Sequence, residues 1–287
     1  MARVGPLTPT LSPPGRGRDP RSGRVRRKLP FAPALALALL LAACGAPPKP
    51  GSVAAGIEAA GQQAGLVETQ RGDDYRDGNG APQNYQEAAR WYRLAIEHGS
   101  SAAMTNLANL LLTGEGVAQD TAAAIALYRR AAGAGNSYAM VSLGDLYRDG
   151  TGVTQDPGEA ARWYERAVAR DRNRVALNNL AYCYEQGLGV VPNIDQALRL
   201  YREAAEAGNP TAMANLGNLY LMGRGVPTDY AQAVAWYRKA AELSSPAGER
   251  GLGYMYLEGL GVPQDVAEAR RWLKLVARPQ TMPARIR

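Results

Sequence analysis

The sequence predicts an all-α protein: an α–α solenoid of six helix-turn-helix repeats of about 36 residues that wind into a superhelix. Three observations predict it. Paired glycines recur at Gly78/Gly80, Gly114/Gly116, Gly150/Gly152, Gly187/Gly189, Gly223/Gly225 and Gly259/Gly261, in steps of 36 residues with a single step of 37. Four residues after each second glycine stands an Asn or Asp. Large apolar residues keep the same phase: Leu107, Leu143, Leu180, Leu216 and Leu252 share one slot, while Trp91, Trp163, Trp236 and Trp272, completed by Leu127 and Leu200, share another.

Each part of the unit has a local reason. The first glycine ends a helix, where the left-handed C′ conformation penalises a side chain. Asn84, Asp120, Asp156, Asn193, Asp229 and Asp265 are strong N-cap residues. Glu87, Glu159, Gln196, Gln232 and Glu268, three positions on, complete a capping-box pattern in five of the six units. Pro157 suits N1, where no N–H is needed. Ala88, Ala124, Ala160, Ala197, Ala233 and Ala269 let the second helix approach the first, and the Trp–Tyr pairs of the second helices read as core.

Two departures break the pattern. Arg71 stands where other units have Leu, which predicts a polar leading helix that caps the stack. One residue is added in Ala169-Arg170-Asp171-Arg172-Asn173, where a local change of pitch or an exposed charged loop is expected. At the far end Trp272 and Leu275 have no following unit, and a basic tail spans 279–287.

The leader carries the charge. The chain of 287 residues has a formal net charge of +7, but residues 1–28 hold seven Arg and one Lys against Asp19 alone. The remaining 25 basic and 25 acidic residues balance, so the basic pI does not indicate nucleic acid binding. Arg24 to Lys28 followed by the apolar run Leu29 to Ala43 reads as a signal peptide, too short to span a bilayer comfortably. Residues 1–24 fit no such leader and read as a non-native upstream extension or a disordered segment; a start at Val25 leaves a compact leader over 25–43. The Pro-containing stretch 44–57 is expected to be a tether, followed by the solenoid over 58–278.

Two resemblances sharpen this reading. Leu41-Ala42-Ala43-Cys44 resembles the lipobox of bacterial lipoproteins, which implies lipidation of Cys44 as the mature N-terminus. Gly45 after it is compatible with delivery to the outer membrane. Leu-Gly-x-x-Tyr, Gly-x-Gly-Val, the capping Asp, Ala and Trp-Tyr-x-x-Ala-Ala, in register over residues 65–277, resemble the Sel1-like repeat family, relatives of tetratricopeptide repeats. That resemblance implies a right-handed superhelix that binds protein or peptide partners, and no reaction. Some secreted relatives carry a disulfide in every repeat; this chain does not.

Catalytic, cofactor and metal sites are not expected. The Gly-x-Gly pairs lack the Gly-Lys-Ser/Thr of a phosphate loop and the preceding strand of a dinucleotide fingerprint. Cys44 and Cys183 have no metal-ligand spacing to each other or to His98, the single histidine. Cys183 falls in a slot of Leu and Met, as a small buried hydrophobe would. His98 closes a helix, where partial positive charge suits the dipole. Asp73-Asp74 and Asp145/Asp149 read as solvated acidic groups.

The candidate binding surface lies on the first helices. Asn106/Asn109, Ser142/Asp145, Asn179/Tyr182, Asn215/Asn218 and Gly251/Tyr254 flank the repeated Leu, three apart and so on one face, expected opposite the core stripe. The family resemblance places this face in the concave groove. There the carboxamides could clamp an extended peptide, with Tyr182 and Tyr254 adding rigid contacts; alternatively the amides bond between neighbouring repeats or face water. The expected function is a lipid-anchored cell-envelope scaffold, periplasmic and on the outer membrane, binding protein or peptide partners without catalysis. The alternatives are a surface-exposed factor recognising a host protein, and a polysaccharide-binding scaffold of an envelope secretion system.

Overall fold

Every capping residue read from the sequence starts a helix in the computed structural model, which describes residues 50–276. The helices are α1 (Pro50–Asp77), α2 (Tyr85–Glu97), α3 (Ser101–Thr113), α4 (Thr121–Gly133), α5 (Ser137–Asp149), α6 (Pro157–Asp171), α7 (Arg174–Gln186), α8 (Ile194–Glu206), α9 (Pro210–Met222), α10 (Tyr230–Glu242), α11 (Pro246–Glu258) and α12 (Val266–Val276). They pair as six helix-turn-helix units, and no strand occurs among the described residues. None of these helices is long and apolar enough to cross a membrane. The leader, the lipobox with Cys44 and the 279–287 tail lie outside the described residues.

The turns follow the chemistry of their sequence. Asp156 Oδ1 accepts the Glu159 N–H at 2.9 Å, and Asn84, Asp120, Asn193, Asp229 and Asp265 cap their helices in the same way. Gly114, Gly150, Gly187, Gly223 and Gly259 end the first helices with left-handed backbone. Gln83, Gln119, Gln155 and Gln264 close the loop by donating Nε2 to a carbonyl near the end of the first helix.

The second glycine of each pair has a separate task. At Gly189, with φ +70°, an added Cβ would lie 2.3 Å from the Pro157 carbonyl carbon at the start of the preceding unit's second helix. Gly116, Gly152, Gly225 and Gly261 meet the equivalent helix start, whereas Gly80, in the first unit, has nothing within 4 Å. The turn of one unit thus rests on the helix start of the previous one.

Packing separates the aromatic pair. Tyr92, Tyr128, Tyr164, Tyr201 and Tyr237 are fully buried, while the neighbouring tryptophans are half-buried. A cation covers each indole: Arg71 lies 4.8 Å from the Trp91 ring centre, Arg166 4.5 Å from Trp163, Lys239 4.2 Å from Trp236 and Arg271 5.9 Å from Trp272. Arg71 therefore replaces the usual Leu by stacking on Trp91.

First helices of adjacent units reach one another by direct side-chain hydrogen bonds, Asn106 to Asp73 at 2.9 Å and Asn179 to Asp145 at 3.2 Å, along the face that the repeat resemblance places on the inner side of the superhelix. Two expectations change. The added residue near Ala169 does not make a loop: α6 runs on to Asp171, 15 residues against the 13 of its counterparts α2, α4, α8 and α10. Arg172 then takes the left-handed turn, at φ 56°, that Gly99, Gly135 and Gly208 take in other units and Ser244 takes in the fifth. Ala169 and Arg170 are good helix formers and extend the existing ladder. Likewise α1 begins at Pro50, inside the 44–57 segment expected to be a tether. Proline is tolerated in a first turn, and the Ala54-Ala55 and Ala59-Ala60 pairs that follow favour helix.

The two glycine roles separate by mutation. Gly80→Ala should cost about 1 kcal/mol, the left-handed strain alone, and Gly189→Ala about 3 kcal/mol, because backbone atoms must also move apart. Chemical denaturation of the two variants checks this.

Candidate functional site

The inner face is built where the buried tyrosines end. Each tyrosine ring passes between first helices, tightly enough that a Cβ on Gly144 would come within 2.4 Å of Tyr164 and one on Gly251 within 2.4 Å of Tyr237. Its hydroxyl then emerges at a polar residue of its own unit's first helix. Tyr92 donates to Asp73 at 2.8 Å, Tyr128 to Asn109 at 2.6 Å, Tyr164 to Asp145 at 2.7 Å and Tyr237 to Asn218 at 2.6 Å. The face expected opposite the core is therefore the place where the core's polar ends surface, and most of its residues are half-buried.

Amides knit the units together along this face. Asn106 Nδ2 donates to Asp73, Asn179 Nδ2 to Asp145, and Asn215 Nδ2 to Asn178 at 3.1 Å, while Asn178 donates to Asn179 at 3.1 Å. Of the two roles open to the amides, these bonds between neighbouring repeats are formed. Ser142 lies half-buried within the same strip. Asn178, buried one residue before the stripe, was not singled out by sequence; only its neighbour's spacing was visible.

Asp145 and Asp149 reach solvent, as expected, but they share one arginine. Arg148 donates to Asp145 at 2.9 Å and grips Asp149 through two nitrogens at 2.8 and 2.9 Å. Those bonds hold the Asp149 carboxyl below its ordinary range. Arg76 repeats the arrangement with Asp73 and Asp77, and there burial raises the Asp73 carboxyl despite its bond from Tyr92. Desolvation drives the Tyr92, Tyr164 and Tyr201 phenols far up and Tyr237 to about 12, so all four remain donors at physiological pH.

Tyr182 and Tyr254 occupy the acceptor slot without accepting, and the structure shows why each is possible. In the fourth unit Glu185, one turn further on, takes the Tyr201 hydroxyl at 2.9 Å and also binds Arg224 at 2.8 Å. In the sixth unit the buried tyrosine is replaced by Leu273, which has no hydroxyl to satisfy. Both slot residues are consequently released to solvent, Tyr182 at 43% and Tyr254 at 46% exposure. A depression of about 210 Å³ beside Tyr182 is lined by Gln186, Asn215, Asn218, Met222 and Arg224. Its chemistry is that of a binding surface: one aromatic face, amide donors and acceptors, a flexible thioether and a guanidinium.

The remaining polar candidates are structural. Cys183 is buried, and desolvation pushes its thiol up to about 11. His98 caps α2 and shares a hydrogen bond with Glu68 of α1 at 2.7 Å. Among the described residues no group of three His, Cys, Asp or Glu side chains could hold a metal ion.

The helices of the described residues, stacked in pairs with a polar inner strip and core-facing tyrosines, define a helical repeat protein of the interaction-scaffold class. The Sel1 repeat model matches residues 72–100, 101–136, 137–171, 174–209, 210–245 and 246–278, and the chain belongs to the Sel1 repeat family. Members of that family typically act as protein-interaction scaffolds without catalysis. The structure is similar to a Sel1 repeat protein from Oxalobacter formigenes, at 28% identity over 77% of this chain and 88% of that one, with a TM-score of 0.69. It is also similar to a protective antigen of uropathogenic Escherichia coli strains with the same fold, at 32% identity and a TM-score of 0.59 over 78% of this chain. The chain spans 48% of that antigen's length. An immunity protein of Pseudomonas aeruginosa shares the fold at 19% identity, with a TM-score of 0.53 over 82% of this chain and 84% of that one. Comparison with curated proteins found no match.

Two measurements check the site. A double-mutant cycle on Glu185→Ala and Tyr201→Phe should give a coupling of about 1–2 kcal/mol, since Glu185 is 11% exposed and Tyr201 fully buried. Cys183 should resist alkylation by iodoacetamide at neutral pH in the native protein and react readily in denaturant.

Proposed function

We propose that this protein is a cell-envelope scaffold, anchored by lipid at Cys44, whose inner face binds an extended protein or peptide partner without catalysing a reaction. The observation that carries the reading is the release of Tyr182 and Tyr254. Along a face otherwise committed to holding tyrosine hydroxyls and neighbouring repeats, these two side chains are free to make outside contacts. Each presents a rigid amphipathic ring of the kind that anchors interfaces. Near Tyr182, Asn215 and Asn218 supply amide groups that can donate and accept along a peptide backbone. Asn106, Asn109, Asn179 and Asp145 then shape the groove from within the seam, with Ser142 between them.

The envelope location rests on the lipobox-like Leu41-Ala42-Ala43-Cys44 and on the basic, apolar leader before it. The outer membrane, facing the periplasm, is the compartment that fits Gly45. A surface-exposed factor recognising a host protein is the second reading, favoured by the likeness to a protective antigen of uropathogenic strains. Polysaccharide is a third ligand class for the two exposed tyrosines, whose faces can stack on sugars.

Crosslinking and co-purification of the native lipoprotein test the groove. Tyr182→Ala and Tyr254→Ala should each lower partner affinity about tenfold or more, the effect of losing an interface anchor, with thermal stability unchanged. Equal recovery of partners by wild type and variants would remove the groove from consideration. Fatty-acid labelling lost in Cys44→Ala would support the anchor, and protease shaving of intact cells separates periplasmic from surface exposure.

A further inference from the structure

The sixth unit departs from the repeat on the side that faces beyond it. Met104, Met140, Leu177 and Met213 share a buried slot near the start of the first helices. Met104 packs in the cluster that runs on into the following units, whereas Ala103 and Leu107 pack with the preceding one, so the slot looks forward along the stack. In α11 it holds Glu249, which is 7% exposed and forms no hydrogen bond or ion pair with any described residue. A carboxylate so buried is costly until a cation meets it. The same side carries Leu273. Tyr237, its counterpart one unit earlier, lies fully buried against Gly251 of the next first helix, while Leu273 is 40% exposed.

We propose that residues 281–287 of this chain dock on that face in the register of one more first helix, with Arg285 paired to Glu249. The Sel1 repeat match stops at residue 278, yet the pattern of the sequence runs on. Ser100, Asn136, Asn173, Asn209 and Ser245 cap first helices, and Thr281, of the same capping class, follows Ser245 by 36 residues. Pro283 then falls in the first turn, where no intrahelical N–H is needed. Ala284 stands 36 residues after Gly248, in the slot of the fully buried Ala103, Ala139, Ala176 and Ala212. The reach matches as well. Asn209 and Ser245 donate their N–H to the Ala204 and Ala240 carbonyls, five residues back, at 2.9 and 3.0 Å, and Thr281 stands five residues after Val276, where α12 stops. Charge selects the contact. Neighbouring first helices meet through residues 33 to 37 apart, as Asn106 does with Asp73 and Asn215 with Asn178. The same span counted from Glu249 gives residues 282–286, in which Arg285 is the single charged side chain. This contact does not depend on the inner-face reading.

Hydrogen exchange of the full chain, followed by mass spectrometry on a C-terminal peptic fragment, tests the contact against a synthetic peptide of residues 277–287. Amides within 282–287 should exchange about tenfold or more slowly in the protein than in the peptide. Glu249→Lys and Arg285→Glu should each bring them close to the peptide's rate, with the protection of α3 to α10 unchanged. Glu249→Arg combined with Arg285→Glu should restore several-fold protection, which a merely structural loss at either position would not. Should the Glu249 variants fail to fold, Arg285→Glu alone carries the readout. Peptide-like exchange in wild type, protection that survives Arg285→Glu, or no recovery in a folded swapped pair would each overturn the proposal. So would protection that rises with protein concentration alongside a dimer in light scattering, since a second copy would then be the occupant.

Discussion

A phenol buried in a helical core must still satisfy its hydroxyl, and the architecture is arranged around that requirement. Stranding the group would cost about 1–3 kcal/mol in each of the first five units. The tyrosines therefore thread between first helices until their oxygens reach the inner surface, where a carboxylate or amide receives them. Small residues such as Gly144 and Gly217 clear the path, since a side chain there would collide with the ring. The inner surface is polar because the core needs it to be. Only where the requirement is met differently, or disappears, can that surface be used for something else.

Spacing between units is set on the other side of the same joint. The second glycine of the turn rests on the helix start of the previous unit, against main chain at Gly116, Gly189 and Gly261 and against the Thr121 and Ile194 side chains at Gly152 and Gly225, so close approach at these five positions fixes the stacking distance. A rigid pitch makes the inner strip a regular row of positions 36 or 37 residues apart in sequence. Specificity must then come from which side chains occupy those positions and from local breaks in the row. The fourth unit concentrates such breaks: Tyr182 and Glu185 inside, Leu200 and Glu203 outside, and a lengthened helix before it.

The repeat was legible because its determinants are local. Glycine at a left-handed turn and Asp or Asn at a helix start act within four residues, and six copies in phase leave no ambiguity of period. The purpose of the amide stripe was not legible, because Asn106, Asn179 and Asn215 find partners 33 to 37 residues away. A finer signal was present: Asp73, Asn109, Asp145 and Asn218 each stand 19 residues before a buried tyrosine, whereas Tyr254 stands before Leu273. Asp145 and Asp149 looked unattended because Arg148 between them served both. Of the two expectations for the added residue near Ala169, a change of pitch or an exposed charged loop, the loop does not form, because helix propensity there continues without interruption to Asp171.

The amide seam also bears on how such a chain can change length. Asn179 reaches back to Asp145 across one joint, and Asn215 reaches back to Asn178 across the next. Excising the unit 174–209 would set Asn215 before Asp145, an amide offered to the carboxylate that Asn179 now serves. The tyrosine hydroxyls would be undisturbed, since each is received within its own unit. Loss of that unit can thus be accommodated at the seam's amide bond without a compensating substitution there.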